Sequence, residues 1–226
     1  DSQPKERYQL CAVMTGNRHP DSSPMYFSEQ DADFFDIKGV TQTLLQELRI
    51  QGHSGGITFE VATDAVEPYA EPGYVIRIMD GEQQLGCIAR LTRSVARAFS
   101  IKQDVYFAEL ELGVLPELPV AEKAFVSLPR YPSVKRDIAL LVPENVAAGD
   151  LLEDITAHKM QDVVYADIFD VYSGKPIEDG MKSVALTVAY RSAERTLDDA
   201  TVDGFHEKIV NSLMSRFGGR YREGKE

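Results

Sequence analysis

The sequence predicts an α+β protein built in two units, and three observations carry that expectation. Short apolar runs with two-residue alternation are interleaved with stretches whose apolar residues recur every three or four positions, so strands and amphipathic helices share one chain. Midway, Leu115 to Lys123, with Pro116 and Pro119, breaks the pattern and reads as a linker. Beyond it the elements fall in the order strand, helix, strand, strand, helix, strand, which is the ferredoxin-like βαββαβ pattern. Helices laid over mostly antiparallel sheets are the layers this implies. A chain of 226 residues is long enough to give each unit a real core.

The first unit is expected over residues 1–120. Gln9 to Gly16 reads as a buried strand, and Asn17 to Ser28, rich in Pro, Ser and Asp, as a surface loop. Asp33-Phe34-Phe35-Asp36-Ile37-Lys38-Gly39 opens a helix that carries Val40, Leu44, Leu45 and Leu48 at helical spacing. Gly52 to Gly56 breaks the chain before a strand at Ile57 to Thr63. Tyr74 to Met79 and Gln84 to Ala89 form a hairpin around Asp80-Gly81. A short helix over Leu91 to Phe99 and a strand over Asp104 to Leu112 complete the unit.

The second unit is expected over residues 124–226: strand 134–142, helix 147–159, strands 163–171 and 183–190, helix 198–217 and a short strand 219–222. Val202, Phe205, Ile209, Leu213 and Phe217 make one stripe of the last helix, with Asp198 as its N-cap and Gly218 as its stop. In strand 183–190 the bulky Val184, Leu186, Val188 and Tyr190 alternate with Ser183, Ala185, Thr187 and Ala189. Asp170 and Tyr172 share a face of the preceding strand. A face floored by small side chains, edged by a tyrosine and a carboxylate, has room for a flat ring. The plain alternative is a hairpin whose tyrosine only covers the sheet.

Composition narrows the function classes. The net charge of −12 argues against a general nucleic-acid binder, because phosphate neutralisation is the usual source of affinity. Roughly −8 of it lies in the first 120 residues and roughly −4 in the rest, so any RNA contact must be local. Cys11 and Cys87 sit in apolar strand contexts without metal-ligand spacing and read as buried thiols of a reducing cytoplasm. No apolar run approaches the roughly eighteen residues of a membrane span, and no signal peptide opens the chain. The start at Asp1 rather than a methionine suggests a piece of something longer.

Enzyme signatures are missing: there is no phosphate-binding loop, His-Glu-x-x-His or Gly-x-Ser-x-Gly. His19, His53, His158 and His206 are scattered and read as structural or surface residues. Asp31, Asp33 and Asp36 precede a helix, which favours capping and dipole pairing over a cation site. The basic residues Lys135, Arg136, Lys182, Arg191 and Arg195, with Arg220 and Arg222 near the end, stand to border one end of the second sheet and meet phosphates. Arg136-Asp137 reads equally as a structural ion pair.

Three stretches of the second half occur together and in order. They are Leu128-Pro129-Arg130-Tyr131-Pro132-Ser133-Val134-Lys135-Arg136-Asp137, then Phe169-Asp170-Val171-Tyr172-Ser173-Gly174 with Lys182-Ser183, then Arg195-Thr196-Leu197-Asp198-Asp199. Over residues 125–222 this series resembles the ferredoxin-fold anticodon-binding domain of the bacterial phenylalanyl-tRNA synthetase β-subunit family. Residues 1–120, through Asp33 to Gly39, resemble part of the class II synthetase-like module of the same family, a catalytic-like sheet that does no chemistry. Where that family often has a Gly-His-Pro-Gly-rich segment, this chain has Glu71-Pro72-Gly73-Tyr74.

The resemblance implies roles. Tyr172 would stack on the first anticodon base, a guanine, while Asp170 and Ser183 hydrogen-bond it. A carboxylate accepts only, which suits guanine's N1–H and amine, and unpaired bases are read by stacking plus edge hydrogen bonds. It implies no catalytic residue, metal or cofactor in this stretch, with ATP and Mg2+ serving the whole enzyme. Its implied partners are tRNA(Phe) and the α subunit of an α2β2 assembly, in the cytoplasm and without a membrane. The alternative is a non-catalytic ferredoxin-like module that binds RNA or protein. A free-standing metabolic enzyme lacks a recognisable site.

Overall fold

The structure, a computed structural model, describes residues 6–20, 25–53, 56–64, 66–125, 127–157 and 162–221. The chain divides into two units, Asp1–Ala124 and Phe125–Glu226. Among the described residues no helix is long and apolar enough to cross a membrane.

The first unit holds strands β1 (Gln9–Thr15), β2 (Ile57–Val61), β3 (Ala70–Asp80), β4 (Gln83–Leu91) and β5 (Val105–Glu111), with helices α1 (Phe34–Glu47) and α2 (Arg93–Ala98). The strands form one antiparallel sheet in the order β1-β5-β4-β3-β2. Asp33 caps α1 through a capping box: its side chain accepts from the N–H groups of Phe35 and Asp36, and Asp36 reaches back to the Asp33 N–H. Arg18 bridges Asp33 and Asp36, at 2.9 Å from each. Asp33 and Asp36 are thereby spent on the helix start. Ile37 and Leu45 of α1 pack on Ile78, Ile88, Tyr106, Ala108 and Leu110. The opposite face buries Ala70, Val75, Cys87, Ala89 and Phe107, so the middle of this sheet is covered on both sides. Gly86 is required where β4 meets β5, because a Cβ there would stand 2.0 Å from the Glu109 carbonyl oxygen.

Two expectations fail in this unit. Leu115 to Lys123 is not simply a linker. Leu115–Glu117 is a 3₁₀ turn, Leu115 and Leu118 are buried in the first core, and Val120 bridges Ile50. The prolines shape a packed strap, and the leucines between them supply the apolar surface that holds it down. Cys11 is exposed rather than buried, because β1 is an edge strand whose odd-numbered residues turn away from α1. Cys87 is buried, and burial pushes its thiol up to about 11. Both cysteines pair in register with Glu109, one on each side of it. Two strand spacings, about 9–10 Å, therefore separate them, too far for a disulfide.

The second unit runs β6 (Val134–Pro143), α3 (Ala148–Ala157), β7 (Val163–Ser173), β8 (Met181–Tyr190), α4 (Asp199–Phe217) and β9 (Arg220–Tyr221). All neighbours are antiparallel, in the order β7-β8-β6-β9. This is the βαββαβ arrangement expected. The ends of the expected helix 147–159 and strand 219–222 carry His158 and Arg222, which lie outside the described residues. Asp198 caps α4 by accepting the Thr201 N–H at 2.8 Å, and Gly218 ends it at φ +62°.

Both helices lie on one face of this sheet. Ile138, Leu140, Val142, Val184, Leu186, Val188 and Tyr190 meet Leu151 and Ile155 of α3 and Val202, Ile209 and Leu213 of α4. Burying each such side chain contributes about 1.5–3 kcal/mol. Asp154, buried on α3, is held by Ser212 at 3.1 Å and by Arg216 of α4. Among the described residues of this unit, no helix lies on the other face of the sheet.

Candidate nucleic-acid interface

The register between β7 and β8 decides which side chains share the open face. Tyr165 is opposite Ala189, Asp167 opposite Thr187, Asp170 opposite Ala185, and Tyr172 opposite Ser183. Directly opposed residues project to the same side of a sheet. Ala166, Ile168 and Val171 oppose Val188, Leu186 and Val184, the residues buried under the helices. β6 adds Lys135, Asp137, Ala139 and Leu141, opposite Ala189, Thr187, Ala185 and Ser183. The floor of the open face is therefore mostly alanine, serine and threonine, as the alternation in β8 predicts.

Strict alternation along β7 would put Ile168 on that face beside Asp170 and Tyr172. A register shift between Ile168 and Asp170 prevents it. Phe169 is the extra residue of this bulge, so Ile168 turns to the helices while Asp170 stays on the open side. Phe169 itself is exposed.

Tyr172 is 42 % exposed, and its hydroxyl donates to the Lys175 carbonyl at 2.5 Å. The β7–β8 loop thus holds the ring by its edge. Asp170 is exposed. Ser183 is only 2 % exposed, so contact with a ligand requires the cover over its hydroxyl to shift. At the other end Tyr165 donates to Asp167 at 3.0 Å, a bond that raises the phenol's pKa, and Lys135 Nζ lies 5.9 Å from its ring centroid. Between the tyrosines, Asp137 accepts from Thr187 at 2.5 Å.

The basic residues expected at phosphates part company. Lys135 stands on the open face, and Arg191 and Arg195 follow β8 at the same end of the sheet. The Arg195 charge helps hold the Asp198 carboxyl below its usual range, after the capping bonds from Thr201. Arg220 pairs in register with Leu141 and forms an ion pair with Glu178 of the β7–β8 loop. Arg136 is a correction. Adjacent strand residues face opposite ways, so it lies on the helix side, 2.7 Å from Asp199 and 3.1 Å from Asp203 of α4. It serves neither the open face nor a pair with Asp137. Lys182 also alternates away from Ser183, and its ammonium donates to the Glu144 carbonyl at 3.0 Å.

The three described histidines have structural contacts. His19 packs on Phe27, with ring centroids 4.3 Å apart, and His206 Nδ1 lies 3.2 Å from the Tyr190 hydroxyl. Burial lowers the His206 pKa and pushes the Tyr190 phenol up to about 12. His53 clamps Asp80, with Nδ1 at 2.5 Å from Oδ2 and its N–H donating to Oδ1 at 2.7 Å. Among the described residues no three His, Cys, Asp or Glu side chains are grouped to hold a metal.

The open face is flat, floored with small groups, rich in acceptors and bounded by aromatic rings. Such a surface takes planar bases by stacking and by hydrogen bonds from their amino groups. Its carboxylates would repel phosphates, so a nucleic-acid backbone on this face would have to keep clear of them. Sequence reasoning singled out Asp170, Tyr172 and Ser183, which the register brings to one face, but not Tyr165, Asp167 and Asp137, which share that face. Alternation counted from Tyr172 would put Tyr165 on the helix side, and only the register through the bulge reverses that.

Comparison with known proteins agrees with this layout. Residues 129–222 match the family described as Ferredoxin-fold anticodon binding domain. Residues 1–112 match the Phenylalanyl tRNA synthetase beta chain CLM domain. The chain is 40% identical over 226 residues to the Phenylalanine--tRNA ligase beta subunit of Desulfotalea psychrophila, covering 99% of this chain and 28% of that protein. The corresponding subunit of Geobacter sulfurreducens is 32% identical over 97% of this chain and 26% of its own length. That of Clostridium tetani is 34% identical over 85% of this chain and 24% of its own length. The chain spans about a quarter of the length of the curated relatives it matches. An open-faced βαββαβ unit matching an anticodon-binding family, next to a unit matching the synthetase module, in an order shared with these relatives, places the chain in the family of bacterial phenylalanine–tRNA ligase β subunits.

Proposed function

We propose that the open face of the β7–β8–β6 sheet binds the anticodon loop of tRNA(Phe). On this reading the chain serves a phenylalanine–tRNA ligase that charges tRNA(Phe) with phenylalanine. The observation that carries it is the register of Asp170 and Tyr172 against Ala185 and Ser183, which sets a half-exposed ring and a carboxylate over a floor of small side chains. Tyr172 stacks on the first anticodon base. Asp170 accepts from its donor edge, and Ser183 discriminates at the floor once the cover over it moves. Residues 1–120 act as the non-catalytic class II synthetase-like module and contribute to assembly with the α subunit.

ATP and Mg2+ belong, on this reading, to the whole ligase. Arg18, Arg77, Arg90 and Arg93 are committed to carboxylates, and Tyr69, which donates to Glu109 at 3.1 Å, is pushed up to about 12.

The test is titration of an anticodon stem-loop RNA at fixed salt. Base–aromatic stacking is worth roughly 1–3 kcal/mol, so Tyr172→Ala is expected to weaken binding about 5- to 150-fold. Tyr172→Phe keeps the ring face and loses little. Ser183→Ala narrows the preference for guanine over adenine at the first anticodon position. Equal affinity of wild type and a folded Tyr172→Ala variant returns the tyrosine to a covering role.

A further inference from the structure

The register of β7 brings a second aromatic residue to the open face, at the end away from Tyr172. Tyr165 sits opposite Ala189 and Tyr172 opposite Ser183, six residues apart along β8. At about 3.4 Å per residue, roughly 20 Å separates them. Tyr165 is 47 % exposed on a face whose adjoining floor is Ala189 and Thr187. Its hydroxyl is taken by Asp167, which fixes the ring's edge and leaves the ring face away from Lys135 for contact. Lys135 Nζ lies over one face of the ring, 5.9 Å from its centroid, and Arg191 and Arg195 follow in sequence where β8 ends. Of the two cations that register puts on this face, Lys135 stands at the Tyr165 end and Arg220, held by Glu178, at the other. A solvent-facing tyrosine with cations beside it and acceptors along one side is the combination that holds a nucleotide: ring on base, cation on phosphate.

We propose that Tyr165 is a second stacking platform, which takes a base of the same RNA loop other than the first anticodon base, with Lys135 on an adjoining phosphate and Asp167 beside the base edge. This rests on the anticodon-binding reading of the open face. The distance between the tyrosines fits bases splayed along the sheet rather than stacked on one another. The carboxylates Asp137, Asp167 and Asp170 lie between the platforms, where base amino groups would pass and phosphates would be repelled.

The full 226-residue chain is titrated with an anticodon stem-loop RNA and with versions carrying one abasic site at each loop position in turn. Tyr165→Ala is expected to weaken binding to the intact loop by about fivefold or more, and Tyr165→Phe to bind like wild type. With an abasic site at the partner position, Tyr165→Ala and wild type bind alike, and that position differs from the one that cancels Tyr172→Ala. If Tyr165→Ala binds the intact loop like wild type while Tyr172→Ala is weakened, the second platform is overturned and the anticodon reading stands. If the Tyr165→Ala loss is the same for every abasic loop, or is cancelled only at the first anticodon position, stacking on a second base is likewise overturned. If neither tyrosine affects binding, both readings fall. Thermal unfolding of each variant separates loss of binding from loss of fold.

Discussion

The two sheets of this chain differ in what covers them. In the first unit Cys87, Ala89 and Phe107 are buried on one side of the central strands, and Ile88, Tyr106 and Ala108 on the other. In the second unit Val184, Leu186, Val188 and Tyr190 are buried under two helices, while the alternate residues lie on the other face, where Ala185 and Thr187 are half-buried and Ser183 and Ala189 are buried. A strand packed on both sides leaves little room for a ligand. A strand packed on one side can fold through its bulky residues and recognise through its small ones. In β8 the residues that stabilise the sheet and the residues proposed to bind are interleaved one by one.

That division can be broken from either side. Leu186→Ala is expected to cost about 2–5 kcal/mol, read as a lowered urea midpoint for the second unit. Its neighbour Ala185→Leu fills the open floor instead, and should leave stability within about 0.5 kcal/mol while it weakens RNA binding. If Ala185→Leu binds RNA like wild type, the floor is not a ligand surface. In the first unit, Gly86→Ala drives a methyl group into the Glu109 carbonyl and should cost about 1–3 kcal/mol or more. Thermal unfolding that matches wild type would show that β4 and β5 can separate at no cost.

Acid should weaken the first unit through one carboxyl. The buried Asp80 carboxyl is held below its ordinary value near 3.8, first by the hydrogen bond to the His53 ring and then by the His53 N–H. A carboxyl depressed in the folded state contributes stability in full above its unfolded value and loses it as pH falls through the folded value. The first unit should therefore weaken below about pH 4, and Asp80→Asn should flatten that limb of its stability–pH curve. An unchanged acid limb in Asp80→Asn would assign acid unfolding to other carboxyls. The smallest effect is expected at Arg136→Ala. Its partners Asp199 and Asp203 are largely exposed, so the pair is worth at most about 1 kcal/mol. RNA affinity should not change, because Arg136 lies on the helix side. A clear loss of affinity there would restore the phosphate role that the strand direction denies it.

Local pattern carried much of this architecture, and long-range contacts account for what it left out. The alternation in β8 marked the buried and open faces, and the stripe on α4 with Asp198 and Gly218 at its ends marked a helix that forms over residues 199–217. Asp170, Tyr172 and Ser183 could be grouped because alternation and a family resemblance pointed to the same face. Other features depend on partners distant in sequence. Arg136 is fixed by carboxylates 63 and 67 residues away, which no local window includes. Leu115 and Leu118 anchor a segment whose prolines look like a spacer. Tyr165 reaches the open face only because the pairing of β7 slips by a residue.

That slip at Phe169 also sets direction. A bulge adds local twist, so the two halves of β7 point along different lines while each keeps its own partners on β8. Removing Phe169 would leave Ile168 opposite Leu186 and Asp170 opposite Ala185, in unbroken alternation. Every side chain would keep its face, and only the angle between the two tyrosine rings would change. One inserted residue thus works as an angular setting: it adjusts the angle between the two proposed contacts without altering which groups would make them.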